Sequence, residues 1–167
     1  MTTYEEPTVR VFGRTWPRAS GHERLAWAIV FVGVVTILCV ARQLTPDPHG
    51  MGTHQQIRLL GGPMPECGFV VWTRAMWGTG YPCPSCGFTT TFAHAMHGHP
   101  LAALANQPFG FLVFCTFAAF LPVSLLCSVG QVSPLRATDH WRWRWILGTL
   151  ALLWALGWIY KIRMTTG

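Results

Sequence analysis

Three stretches of the chain carry no charged residue: Leu25 to Ala41, Phe109 to Val129 and Trp145 to Tyr160. A water-soluble domain of 167 residues would have to bury all three at once, and its small core has no room for them. A helix from Gly21 to Ala41 would be about 31 Å long, close to the ~30 Å hydrocarbon thickness of a bilayer. The third stretch reaches only about 24 Å. Arg142, Arg144, Lys161 and Arg163 at its ends can extend their stems to lipid headgroups. Trp141, Trp143, Trp158 and Tyr160 form interfacial belts beside them. Composition agrees, with 51% hydrophobic and only 11% charged residues, against about 25% charged in an average soluble domain. The sequence therefore predicts an all-α membrane protein with three transmembrane helices. Short re-entrant or interfacial helices are expected in the loop between the first and second.

Local signals set the expected boundaries: a tail over 1–20, the first span over 21–41, a loop over 42–107, the second span over 108–129, a connection over 130–143, and the third span over 144–163. Ser20 followed by Glu23 is a capping box, in which each side chain satisfies a backbone N–H of the other. The long tail ahead of the first span favours an uncleaved anchor over a signal peptide cut after Ala41. Pro108 suits the first turn of a helix, and Pro122 should kink the second span. Gly148, Ala151 and Ala155 share one face of the third, which is read as intrachain packing. Arg10, Arg14, Arg18 and Arg24 flank the first span, and Arg136, Arg142 and Arg144 precede the third. This bias places the N-terminus in the cytoplasm, in an inner (cytoplasmic) membrane. The net charge of +6 forms no basic stripe of the kind that tracks nucleic acid. Membrane lipids and other membrane protein subunits are the expected partners.

The loop divides in turn. Residues 42–66, rich in Pro, Gly and His, read as irregular connection. Cys67 to Trp77 is apolar but too short to span, and reads as an interfacial or re-entrant piece. Gly78-Thr79-Gly80 makes a turn, and Tyr81-Pro82-Cys83-Pro84-Ser85-Cys86-Gly87 follows. Beyond it, Phe88, Phe92 and Met96 fall on one helix face, predicted to pack inward. Thr90, His94 and His97 fall on the other, predicted to face a polar environment. Gly98 closes that helix, and a shorter one is expected from Leu101 to Asn106.

Residues 78–112, GTGYPCPSCGFTTTFAHAMHGHPLAALANQPFGFL, resemble the bacterial membrane-protein family catalogued as domain of unknown function 2752. That family shows an upstream cysteine, then T-G-x-x-C-P-x-C-G-x-T-R, a helix ending H-G, and A-A-L…N-P-L opening a membrane helix. Cys67, Thr79, Gly80, Cys83, Pro84, Cys86, Gly87, Thr89, His97, Gly98, Ala102, Ala103, Leu104 and Pro108 match. Thr90 stands where the family has arginine, and Gln107 where it has asparagine. The resemblance implies a small helical membrane protein and carries no activity with it.

The CPSCG turn admits three chemistries. It is the knuckle of zinc ribbons and rubredoxins, which gives a metal reading with Cys83, Cys86, His94 and His97 as ligands, Cys67 and His99 as further donors, and zinc as the candidate ion. It is also a dithiol at a helix N-terminus, where the macrodipole favours thiolate. Finally, Cys67 can pair with Cys83 or Cys86 as a structural disulfide in an oxidising compartment. Cys39, Cys115 and Cys127 lie inside spans and read as apolar fillers. His22, His49, His54 and His140 carry no signal, and Arg74 is read as a headgroup contact. No nucleophile–base motif or carboxylate pair is present, so no catalytic residue is assigned. A non-enzymatic accessory or assembly subunit of a membrane complex is the first expectation. A thiol–disulfide or metal-handling protein using Cys83 and Cys86 is the alternative.

Overall fold

The computed structural model describes residues 8–11, 13–59, 62–130, 132–133 and 142–166. Three long helices dominate it: α1 (Gly21–Gln43), α5 (Pro108–Val129) and α6 (Trp143–Thr166). Each is long and apolar enough to cross a bilayer. Leu25, Ile29, Val32, Leu147 and Leu152 on α1 and α6 are exposed, as side chains facing lipid must be. Pro122 lies inside α5 without ending it. α6 runs past the uncharged stretch at both ends and reaches about 36 Å. Arginine and lysine are good helix formers, so charge marks where the apolar run ends and not where the helix does. The chain is thus a multi-pass membrane protein, with three shorter helices between the first and second spans: α2 (Gly68–Trp77), α3 (Phe88–Met96) and α4 (Pro100–Asn106).

The contacts divide the chain into two compact units, Met1–Thr36 with Phe117–Trp143 and Ile37–Thr116 with Arg144–Gly167. In the first, strands β1 (Thr8–Val11) and β2 (Arg14–Pro17) pair antiparallel, with Val9 opposite Trp16. Sequence patterning shows this region only as a plain tail. Its four-residue strands are short, and only Gly13 at φ +75° marks the turn. The capping box forms as expected: Ser20 N–H donates to Glu23 Oε2 (2.7 Å), and Glu23 N–H to Ser20 Oγ (3.3 Å). Ser133 Oγ also donates to Glu23 (3.1 Å), and Arg24 Nε donates to the Ser128 carbonyl (3.0 Å). Arg136, His140 and Trp141 lie outside the described residues.

The second unit holds the loop and α6. The stretch expected to be irregular contains a 3-10 turn at Thr53–Gln56 and a ladder of β3 (Arg58–Leu59) on β4 (Gly62–Pro63). Cys67–Trp77 becomes α2, ended by Gly78 at φ +73°. The small-residue face is corrected. A Cβ added at Gly148 would meet nothing within 4 Å, whereas one at Gly157 would lie 2.7 Å from Phe109 Cβ. Close approach of α6 to α5 therefore occurs at Gly157, outside the predicted face.

Candidate functional site

Two separate segments supply the site. In the CPSCG turn, Cys86 N–H donates to the Cys83 carbonyl (3.0 Å), and Phe88 N–H to the Ser85 carbonyl (3.2 Å). Gly87 then takes φ +91° and α3 begins. A side chain at Gly87 is excluded twice over. The φ is left-handed, and a Cβ would meet the Gly50 carbonyl at 2.9 Å and Lys161 Nζ at 3.1 Å. The Cys83 and Cys86 sulfurs lie 3.1 Å apart, and Cys83 N–H donates to Cys86 Sγ (3.2 Å). The second segment is the start of α2, whose N-cap is Cys67. The sulfurs of Cys67, Cys83 and Cys86 all lie within 4.8 Å of one another. All three are free thiols, with Cys86 buried and the other two half-buried.

Side chains remote in sequence hold this arrangement. Trp158 Nε1 on α6 donates to the Pro82 carbonyl (2.8 Å), and Gln107 Nε2 to the Pro84 carbonyl (3.0 Å). Asn106 Nδ2 donates to the Gly87 carbonyl (3.0 Å) and to Thr91 Oγ1 (2.9 Å). Thr73 Oγ1 on α2 accepts from Tyr81 N–H (2.9 Å), which ties the Cys67 helix to the approach of the turn. The backbone around the thiols is thus pinned on each side, which fixes where the sulfurs point.

The thiols are electrostatically unequal. Burial opposes ionisation of Cys67. The amides of Phe69 and Val70 and the two neighbouring thiols outweigh that burial, so its pKa falls below the usual thiol value. The Cys67 sulfur makes no hydrogen bond of full capping geometry, so the effect is that of a nearby field of N–H dipoles. Burial pushes the Cys86 thiol strongly up, and hydrogen bonding with Cys83 adds to it. A cavity of ≈ 80 Å³ opens onto Cys67 and Cys86 and is also lined by His54 and Glu66. Tetrahedral zinc with Zn–S bonds of about 2.3 Å needs sulfurs about 3.8 Å apart. The cluster fits such an ion with small side-chain movements, and the cavity beside Cys67 and Cys86 has room for a fourth ligand.

Several sequence expectations need correction. His94 and His97 are not brought to the cysteines: among the described residues, the group able to hold a metal is Cys67, Cys83 and Cys86. α3 carries His94 about 9 Å along its axis from Phe88. There it packs against the His99 ring, with centroids 6.4 Å apart, and burial and the neighbouring histidines lower its pKa. His97 Nδ1 instead contacts the Ala93 carbonyl at 2.8 Å. Phe92 packs inward as predicted, but Thr90 is buried too, sharing a hydrogen bond with Thr53 (2.8 Å). Periodicity separates apolar from polar positions and cannot see that a buried threonine has a partner. Arg74 forks onto Glu66 (2.7 and 3.2 Å) rather than standing free for headgroups. Lys161 is 3% exposed, not snorkelling, because carbonyl acceptors lie within its reach. Arg142, Arg144 and Arg163 are exposed at the ends of α6.

The sequence does not tie His54 or Glu66 to the thiols, and it reads Lys161 as a headgroup contact only. Proximity to Cys67 in the chain is the one available signal for Glu66, and nothing local points to the other two. Residues 73–121 match the family described as Protein of unknown function (DUF2752). The resemblance seen in the sequence is borne out there. The matched segment includes the CPSCG turn, α3, α4, Asn106 and Gln107. No curated protein and no solved structure matches the chain.

Proposed function

We propose that this is a non-enzymatic membrane protein that holds a thiophilic metal ion, zinc foremost, in a three-thiolate centre made by Cys67, Cys83 and Cys86. The observation that carries the reading is the convergence of three sulfurs within 4.8 Å from two separated segments. A structural disulfide would need two of them, and a dithiol pair likewise. The third sulfur is what soft-metal ligation uses. The clamped carbonyls around the turn support it, since rigid outer contacts orient metal ligands. When bound, the ion would supply a structural cross-link between α2 and the turn, with one coordination position left for water or an exchanging ligand. The accessory-subunit role fits such a centre. Handling of the metal on the extracytoplasmic face, with the N-terminus in the cytoplasm, follows from the arginine bias.

A second reading, thiol–disulfide exchange, is favoured by the 3.1 Å approach of the Cys83 and Cys86 sulfurs. Purification of the full chain in detergent under argon, with native mass spectrometry and elemental analysis, separates the two. One zinc per chain, lost in Cys67→Ser, Cys83→Ser and Cys86→Ser but not in Cys127→Ser, is expected. A metal-free chain two hydrogens lighter than its reduced form, with Cys83 linked to Cys86, would replace the metal reading by the redox one.

A further inference from the structure

Given the metal centre proposed above, we propose that Lys161 is its counter-charge, a positioning residue that neutralises the anionic metal–thiolate cluster and sets its affinity. Lys161 lies near the end of α6, yet it is 3% exposed. Its ammonium donates to the Gly50 carbonyl (3.0 Å) and to Asn106 Oδ1 (2.8 Å), with the Asn106 carbonyl at 3.4 Å. Every one of these acceptors is neutral. Among the described residues the ion pair is Arg74 with Glu66, and Lys161 has none. A buried cation without an anion is costly, far more so than the same cation in water.

Two ionisable groups, Cys86 and Asp47, act on the ammonium without touching it. Asp47 is half-buried and forms no ion pair among the described residues, and its Oδ1 accepts from His49 N–H (2.8 Å). On the other side, Lys161 Cε and Nζ crowd Gly87, the residue after Cys86, each 3.1 Å from where a side chain would begin. Gly87 therefore admits the ammonium to the back of the thiol turn. Metal ligation requires the thiols to be deprotonated. Three thiolates around a divalent cation leave one net negative charge, and Lys161 cancels it. Around a monovalent cation two negative charges would remain, and one would stay uncompensated. The same lysine is thus a liability in the metal-free protein and an asset in the loaded one, whereas a purely structural lysine would stabilise both.

That difference in sign is the test. Lys161→Met and Lys161→Gln are made in the full chain, purified in detergent and stripped of metal. Cd(II) is titrated as the probe against a competing chelator, following cadmium–thiolate absorption, and the melting of the metal-free form is recorded. The expected result is an unchanged thiolate absorption at saturation with Cd(II) bound about 10–100-fold more weakly, the usual loss when an outer contact of a metal site is removed. Metal-free Lys161→Met should melt at or above the parent. Lys161→Gln supplies the affinity reading if the methionine variant does not accumulate. Variants that bind Cd(II) as tightly as the parent would overturn the role of Lys161 while leaving the centre standing. A parent chain that shows no cadmium–thiolate absorption would overturn the centre itself.

Discussion

Replacing Gly87 by alanine tests the geometry of the turn at its most crowded point. Two penalties act there. An L-residue at φ +91° costs about 1–2 kcal/mol. The added Cβ also lies 2.9 Å from the Gly50 carbonyl and 3.1 Å from Lys161 Nζ, so the carbonyl or the ammonium must move. Either motion forces tight packing apart, an overpacking cost of about 1–3 kcal/mol. The sum is roughly 2–4 kcal/mol, since the two penalties relieve each other in part. Gly98→Ala is the matched control: its φ is +80°, but nothing lies within 4 Å of a new side chain. Only the backbone penalty, about 1–2 kcal/mol, applies to it. With each kcal/mol worth about 2–4 °C in a chain of this size, Gly87→Ala should melt roughly 2–8 °C below Gly98→Ala in detergent. Fluorescence-detected thermal unfolding of the two variants side by side measures the gap. Equal melting temperatures would refute the close approach of Gly50 and Lys161 to the turn.

Trp158→Phe keeps the ring contacts with Phe69 and Trp154 but removes the donor to the Pro82 carbonyl. An unpaired buried carbonyl costs about 1–3 kcal/mol, so melting should fall by several degrees, and an unchanged curve would deny that α6 clamps the turn. In the metal-free chain, alkylation followed against pH should modify Cys67 at lower pH than an ordinary thiol and Cys86 last. The lowered Cys67 value stabilises the fold above the ordinary thiol range, and that contribution disappears as pH falls through the lowered value. The raised Cys86 value does the reverse, its contribution being lost as pH rises, and simultaneous modification of both would contradict the asymmetry. A cysteine placed at exposed Met64 should react with a membrane-impermeant reagent in intact cells, above the background of the parent chain. Reaction only after lysis would reverse the orientation drawn from the arginines.

Some of this molecule is written locally and some is not. Length, apolarity and charge are properties of a continuous stretch, so the sequence alone determined the three spans. The capping box at Ser20 and Glu23 and the glycine stops after α2 and α3 are equally local, because each depends on residues within one helical turn. The knuckle at residues 83–87 was legible for the same reason. Tertiary structure decided what that knuckle meets. Cys67 joins it because Thr73 and Tyr81 draw α2 against the turn. His94 and His97 leave it because a helix moves them down its axis. Lys161 and Asn106 reach it from positions 74 and 19 residues beyond Gly87. Lys161 looked like a headgroup anchor, since a basic residue at the end of an apolar run ordinarily finds water. Only the fold could show that carbonyl oxygens and a thiol turn had taken the water's place.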